Sequence, residues 1–214
     1  MKVVAFVPIK LNNERLPGKN IKKFNNGRPL ADYIFQTLLK VDGIDQSYVY
    51  CSSNEIKKYI PDGISYLSRR KELDSSTVSF NEVLYSFASD VEADIYILTH
   101  ATAPFISSKS IEEGLNAIKN NGYDSALAVE KMQEFLWADG KPLNYELSKI
   151  PRTQDLPIIY KETCGLYIYK RELMMNHRRR IGDNPYMIEV SKIEACDIND
   201  ENDFIIADAL SNYV

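Results

Sequence analysis

Short apolar runs recur along this chain with helix-periodic segments between them, and that alternation restricts the fold more than any other feature. Val3–Val7 is apolar and β-branched and stops at Pro8, the pattern of a strand buried on both faces of a parallel sheet. Tyr48–Ser52, Ile64–Leu67, Ile95–Thr99, Ser125–Val129 and Gly165–Tyr169 read the same way. Pro29–Leu39 sets Leu30, Ile34, Phe35 and Leu38 at helical spacing, and Asn54–Tyr59 reads as a short helix. Ser79–Ala88 places Phe80, Val83, Leu84 and Phe87 on one helical face. A further helix runs from Ser107 to about Asn120, with Ser108 or Ser110 to cap it and Glu112 and Glu113 in its first turn. Strands alternating with helices imply βαβ units. The fold class expected is α/β, a mostly parallel twisted sheet flanked by helices.

The alternation breaks between about Glu130 and Pro157. Asp139-Gly140 there is a hairpin signal, so an inserted β arm is expected over about 130–157. Asn202–Leu210 reads as a closing helix. The 214 residues contain no repeat and no dividing linker, so 1–214 is expected to form one domain. A net charge of −4 argues against a broad nucleic-acid face. Cys51, Cys164 and Cys196 form no CxxC pair, which points to a reduced, cytoplasmic protein. The apolar run at Val3 is too short for a signal or membrane segment, so no membrane partner is expected.

In an open parallel sheet, ligands bind beyond the carboxyl ends of the strands, near a switch point in strand order. The segment after the first strand is the most informative. Lys10, Arg15 and Lys19 stand there with Asn12, Asn13 and Asn20. Cations and amides on such a loop suit a triphosphate, which needs neutralising charge and hydrogen-bond donors; a solvated polar loop would have the same composition. Neither GxxxxGK[ST] nor GxGxxG occurs.

Pro8-Ile9-Lys10-Leu11-Asn12-Asn13-Glu14-Arg15-Leu16-Pro17-Gly18-Lys19-Asn20 resembles the signature P-A-R-x-G-S-K-R-L-P-G-K-N of the CMP-acylneuraminate and related cytidylyltransferases. Their relatives include the enzymes that make CMP-linked sialic, legionaminic, pseudaminic and Kdo-type acids. Ser68–Leu73 is similar to the family's R-P-x-E-L segment, and Leu98–Phe105 to its L-L-Q-P-T-S-P-L strand end. Glu162–Ile168 is similar to N-G-A-I-Y-I, and Cys196–Phe204 to the D-I-D-x-x-x-D-F ending.

The resemblance implies a Rossmann-like nucleotidyltransferase fold and a Mg²⁺-dependent reaction. CMP passes from CTP to an acidic 2-keto-3-deoxy sugar and pyrophosphate is released, a step that serves cell-surface glycan synthesis. It implies Lys10, Lys19 and Asp197 as catalytic residues. Lys10, Asn12, Arg15, Lys19, Asn20, Arg69 and Ser79 would bind the nucleotide. His100, Thr102, Arg152 and Thr163 would bind the sugar, and Asp197 and Asn199 the metal. A homodimer through the arm, with Phe135, Leu136 and Trp137 at the interface, is implied as well; a core cluster is the other reading of those three.

Departures from the pattern fall at the same places. Lys10 stands for an arginine, Glu14 for a lysine, Cys164 for an asparagine and Asn199 for an aspartate, while Leu11–Asn13 replaces a glycine-serine stretch. Glu14 and Asn199 keep open a non-catalytic homologue that binds nucleotide or sugar. A related nucleotidyltransferase with another base or acceptor is the third reading. His100, a lone histidine after an apolar strand, suits a structural place or the sugar pocket. His177, in Asn176-His177-Arg178-Arg179-Arg180, reads as part of a solvated basic turn, with contact to an acidic partner or a neighbouring subunit as the alternative. The acidic stretch Asp197–Asp203 also suits the capping turn of the last helix.

Overall fold

A computed structural model describes residues 1–213. Seven strands form one sheet: β1 (Val3–Ile9), β2 (Gln46–Cys51), β3 (Ser65–Ser68), β4 (Ile95–Thr99), β5 (Ser125–Met132), β8 (Ile159–Lys170) and β9 (Pro185–Val190). The two remaining strands, β6 (Trp137–Ala138) and β7 (Lys141–Pro142), pair only with each other. The order across the sheet is β3-β2-β1-β4-β8-β5-β9. All neighbours are parallel except at β8, which runs antiparallel to both β4 and β5. From β1 the chain crosses to β2 and β3 on one side, then returns to β4 on the other. The switch point therefore lies between the carboxyl ends of β1 and β4, where a ligand crevice is expected.

Why β1 reads as an unbroken apolar run is visible in the two cores. Its side chains alternate, and both faces are covered. Val3, Ala5, Val7 and Ile9 join the core that contains Ile34 and Phe35 of α1 (Leu30–Leu38) and Ile111 and Leu115 of α3 (Ser108–Asn120). Val4 and Phe6 join the opposite core, with Leu84 and Phe87 of α2 (Phe80–Asp90) and Met174 of α4 (Arg171–His177). Phe6 stacks on Phe87 with ring centroids 3.9 Å apart; burying each of these rings contributes about 1.5–3 kcal/mol. A third cluster packs Leu16, Phe105 and Ile198 against Phe204 of α5 (Glu201–Leu210). That cluster ties the first loop to the C-terminal segment.

The mostly parallel sheet and its helices agree with the sequence reading. β9 and α4 were not foreseen. β9 is a peripheral strand that opens on a proline and exposes Met187 and Glu189, so its apolar pattern is broken. β8 is longer than expected because its first half, Ile159–Glu162, is polar and pairs with the far end of β5. Between Leu127 and Val129 the register shifts, and the extra residues on β8 bulge outward. Cys164 sits in that bulge, exposed, at φ 58°.

The arm occupies 133–158. Ala138 pairs with Lys141 across Asp139-Gly140, whose φ values of 50° and 72° give the two-residue hairpin turn foreseen from the sequence. Phe135 and Trp137 are exposed, which removes the core reading for these two. No helix among the described residues is long and apolar enough to cross a membrane.

Candidate functional site

The β1 loop is closed on itself. Asn20 Nδ2 donates to the Lys10 carbonyl at 2.9 Å, joining the two ends of the loop. Asn20 is buried in this role. Lys19 starts a short 3₁₀ turn and is also buried; its Nζ donates to the Ile198 carbonyl at 2.8 Å. The Ile198 N–H donates to the Thr102 carbonyl, also at 2.8 Å. Ile198 thus stitches the loop after β1 to the loop after β4, and it carries Asp197 and Asn199 to the switch point.

Burial lowers the Lys19 pKa, the Asp197 carboxylate opposes that shift, and Arg15 and Lys10 add to it. Asp203 opposes the shift as well, so three cations and two carboxylates feel one another here. A cleft of about 230 Å³ is lined by Lys10, Asn13, Glu14, Arg15 and Lys19. The Oδ1 of Asn13 is enclosed without a hydrogen-bond partner. Asn12 is exposed on the same loop. A site crowded with positive charge, with donors on its rim, is built to take polyanions.

An adjoining cleft of about 260 Å³ shares Lys10 and Ser76 and adds Pro8, Arg69, Asp74 and Phe80. Arg69 is buried and forms an ion pair with Asp74. Asp74 also accepts from Ser52 Oγ at 2.5 Å. The guanidinium is fixed in place with Nε unpartnered. Ser79 stands at the N-cap of α2; its Oγ accepts from the Glu82 N–H at 3.3 Å while Glu82 accepts from the Ser79 N–H at 2.9 Å. That reciprocal cap fixes the start of α2 and leaves the Ser79 hydroxyl proton free to donate. Two larger clefts, about 440 and 460 Å³, are lined by none of the expected site residues.

His100 follows β4. Its ring lies 5.3 Å from that of Phe80, and Nε2 is enclosed without a partner. Burial first, then the cations Arg180 and Lys19, push its pKa down to about 3. His100 is thus a neutral imidazole at pH 7. Thr102 is half-buried beside it in the chain. Thr163 is buried and donates its hydroxyl to the Ala128 carbonyl at 3.1 Å, so it secures the β8 bulge. Arg152 stands on the arm, 73% exposed, and holds Asp155 through Nε at 2.7 Å and Nη2 at 3.0 Å.

Asn199 donates its amide to Asp197 Oδ2 at 2.9 Å, and its N–H goes to Asp203. The cap of α5 is Asp200 with Asp203, so Asp197 is not consumed in capping. Among the described residues no group of three or more His, Cys, Asp or Glu gathers into a metal cage. Asp197 and the Asn199 amide oxygen are the oxygen donors at this end of the cleft, a set that Mg²⁺ could use, since it keeps several waters and is usually bound by one or two carboxylates plus substrate phosphates.

The structure thus brings Lys10, Arg15, Lys19 and Asp197 together, sets Arg69 in the adjoining cleft, and leaves Arg152 outside on the arm. Sequence reasoning singled out none of Asp74, Glu162, Tyr167 and Arg180, which the structure joins to one another or to Arg69 by hydrogen bonds and ion pairs near the strand ends. Arg180 was read as part of a solvated turn, yet it lies over the Tyr167 ring at 3.7 Å. A run of three arginines gave no sign of which one turns inward.

A family model for cytidylyltransferases matches residues 4–204. The N-acylneuraminate cytidylyltransferase of Streptococcus agalactiae serotype V is 22% identical over 96% of this chain and 52% of its own length. The chain therefore spans about half the length of that relative. The 3-deoxy-manno-octulosonate cytidylyltransferase of Escherichia coli is 24% identical over 82% of this chain and 75% of its own. A solved CMP:2-keto-3-deoxy-manno-octonic acid synthetase complexed with CTP superposes with a TM-score of 0.73 at 15% identity, over 100% of this chain and 99% of that one. A 4-diphosphocytidyl-2C-methyl-D-erythritol synthase from Anaerococcus prevotii gives 0.68 at 11%, over 99% and 96%. These structural likenesses establish the Rossmann-like nucleotidyltransferase fold. With the family pattern running through nearly all of its length, the chain belongs to the cytidylyltransferase family.

Proposed function

We propose that this chain transfers CMP from CTP to an acidic 2-keto-3-deoxy sugar. The anomeric hydroxyl of the sugar attacks the α-phosphorus and gives up its proton to water, the bond from that phosphorus to the bridging oxygen breaks, and pyrophosphate leaves with its electron pair. The observation that carries this reading is the convergence of Lys10, Arg15 and Lys19 with Asp197 at the switch point. Catalysis of this kind is mainly positioning and charge neutralisation. Lys19, fixed on the Ile198 carbonyl, and Lys10 would neutralise the triphosphate, with Arg15 and Asn12 on the rim. Asn20 acts by holding the loop closed. Arg69 and Ser79 would serve the nucleoside end, and His100 and Thr102 the sugar, with Thr163 holding the bulge beside them. Asp197 and the Asn199 carbonyl would hold Mg²⁺, which when bound adds further charge neutralisation for the departing pyrophosphate. A cytoplasmic homodimer joined through the exposed Phe135 and Trp137 of the arm completes the reading.

The test is pyrophosphate release from CTP and Mg²⁺ across a panel of 2-keto-3-deoxy sugar acids, repeated with UTP, ATP, GTP and EDTA. Release that needs CTP and one class of acid, and stops with EDTA, is expected. Silence across the panel while CTP still binds would favour a nucleotide-binding homologue. One observation supports that second reading: Glu14 lines the cation cleft and opposes its charge. Asn199→Asp separates the two, since a weak enzyme gains turnover and a binding protein stays silent.

A further inference from the structure

An acidic acceptor brings a carboxylate, and a carboxylate in a half-buried cleft needs a cation beside it. Most cations near the strand ends are already committed. Lys10, Arg15 and Lys19 crowd the β1 cleft, Arg69 is sealed against Asp74, and Arg152 holds Asp155 out on the arm. Arg180 differs from all of these. In the run that follows α4, Arg178 lies over the Tyr85 ring and Arg179 reaches Asp183 at 3.0 Å. Arg180 turns the other way, onto the strand-end cluster. Its Cζ is 3.7 Å from the Tyr167 ring centroid and 5.6 Å from that of Phe80, whose ring in turn neighbours His100. Phe80 also lines the cleft that contains Lys10 and Arg69, so this cluster adjoins the nucleotide side of the site.

The anchoring of Arg180 uses only one nitrogen. Nη2 donates to the Tyr167 phenol oxygen at 3.0 Å and to Glu162 Oε1 at 3.2 Å. The Tyr167 hydroxyl donates to the same carboxylate oxygen. Among the described residues, Nε and Nη1 have no protein partner. A guanidinium carries five N–H donors, so three remain. Glu162 is 41% exposed and the guanidinium side chain 23%, so water screens the carboxylate more than the cation.

We propose that Arg180 is the specificity-determining residue for the acceptor and takes the carboxylate of the sugar acid through Nη1. Tyr167 and Glu162 are positioning residues that hold the guanidinium flat against the aromatic face. This inference rests on the cytidylyl-transfer reading above.

The experiment uses the full chain and its Arg180→Gln and Arg180→Lys variants, with N-acetylneuraminic acid, 3-deoxy-manno-octulosonic acid and the methyl ester of each as acceptors. Pyrophosphate release is followed at saturating CTP. In Arg180→Gln the acceptor KM rises at least about tenfold, the loss expected when a charge-assisted hydrogen bond goes. The CTP KM, which also reports that the variant is folded, stays within about twofold, and the preference for acid over ester collapses. Arg180→Lys keeps the charge without the fork and gives an intermediate KM; it decides the matter if Arg180→Gln also disturbs CTP. An unchanged acceptor KM and an unchanged acid preference would overturn the assignment. If the wild type releases no pyrophosphate, the transfer reading fails, and calorimetric binding of the two acids then decides for Arg180. Binding lost in Arg180→Gln supports it; equal binding, or none by the wild type, overturns it.

Discussion

Acidification should destabilise this protein through a single imidazole. His100 has its Nε2 enclosed without a partner, and its pKa falls from 6.5 to about 3 because burial and the nearby Arg180 and Lys19 disfavour the charged ring. In the unfolded chain the ring titrates at its ordinary value. Below that value the unfolded state binds a proton that the folded state refuses, so stability falls as pH drops, and the full contribution is present only above about pH 7. At about pH 5 the deficit is about 1.5 pKa units at 1.36 kcal/mol each, or about 2 kcal/mol, and it holds for any folded pKa below about 4. The assay is urea denaturation of the wild type and His100→Gln at about pH 7.5 and about pH 5. Glutamine has no titration in this range. The wild type should lose about 2 kcal/mol more than the variant on acidification. Equal losses, within about 0.5 kcal/mol, would show that the ring accepts a proton in the folded protein and would refute the reasoning.

Two further outcomes follow from packing and charge. Asp74→Ala leaves the buried Arg69 guanidinium without its counter-ion and should cost about 3–5 kcal/mol in urea denaturation, whereas a cost under about 1 kcal/mol would mean that water reaches the pair. Gly165→Ala places a Cβ 2.8 Å from the Ala103 Cβ and 3.1 Å from Ile106 Cγ1; overpacking of this kind costs about 1–3 kcal/mol, a fall in Tm of several degrees by calorimetry, and an unchanged Tm would show that the loop after β4 gives way.

The parts that sequence could reveal were those governed by local rules. β1 is legible because both of its faces are buried, which removes polar residues from a continuous run. The Asp139-Gly140 turn is legible because few residue pairs tolerate two positive φ values in succession. The grouping of Lys10, Arg15 and Lys19 at one cleft was legible because the three are close in sequence. What sequence could not supply was long-range placement. Glu162 and Thr163 stood out only as part of the segment similar to N-G-A-I-Y-I, with Thr163 implied to bind the sugar, and nothing local showed that the first anchors Arg180 and the second fastens a bulge to Ala128. Asp74 showed no pattern of its own, because its role exists only once Ser52 and Arg69 have been brought to it by separate strands. Arg152 aligned with a sugar-binding position, but its side chain is held on the arm by Asp155, three residues away.

The position of β8 has a consequence for synthesis of the chain. β4 and β5 are made early, yet they do not touch; β8 lies between them and pairs with both. Until residues 159–170 leave the ribosome, β4 is an open edge of the sheet and β5 has neither of its neighbours, since β9 is made later still. That open edge is Ile95–Thr99, whose side chains are entirely apolar except for the tyrosine and threonine hydroxyls. Open edges of this kind capture strands from neighbouring chains. A product truncated before Ile159 would therefore be aggregation-prone, and the strand that carries Glu162, Thr163 and Tyr167 is also the one that seals the sheet.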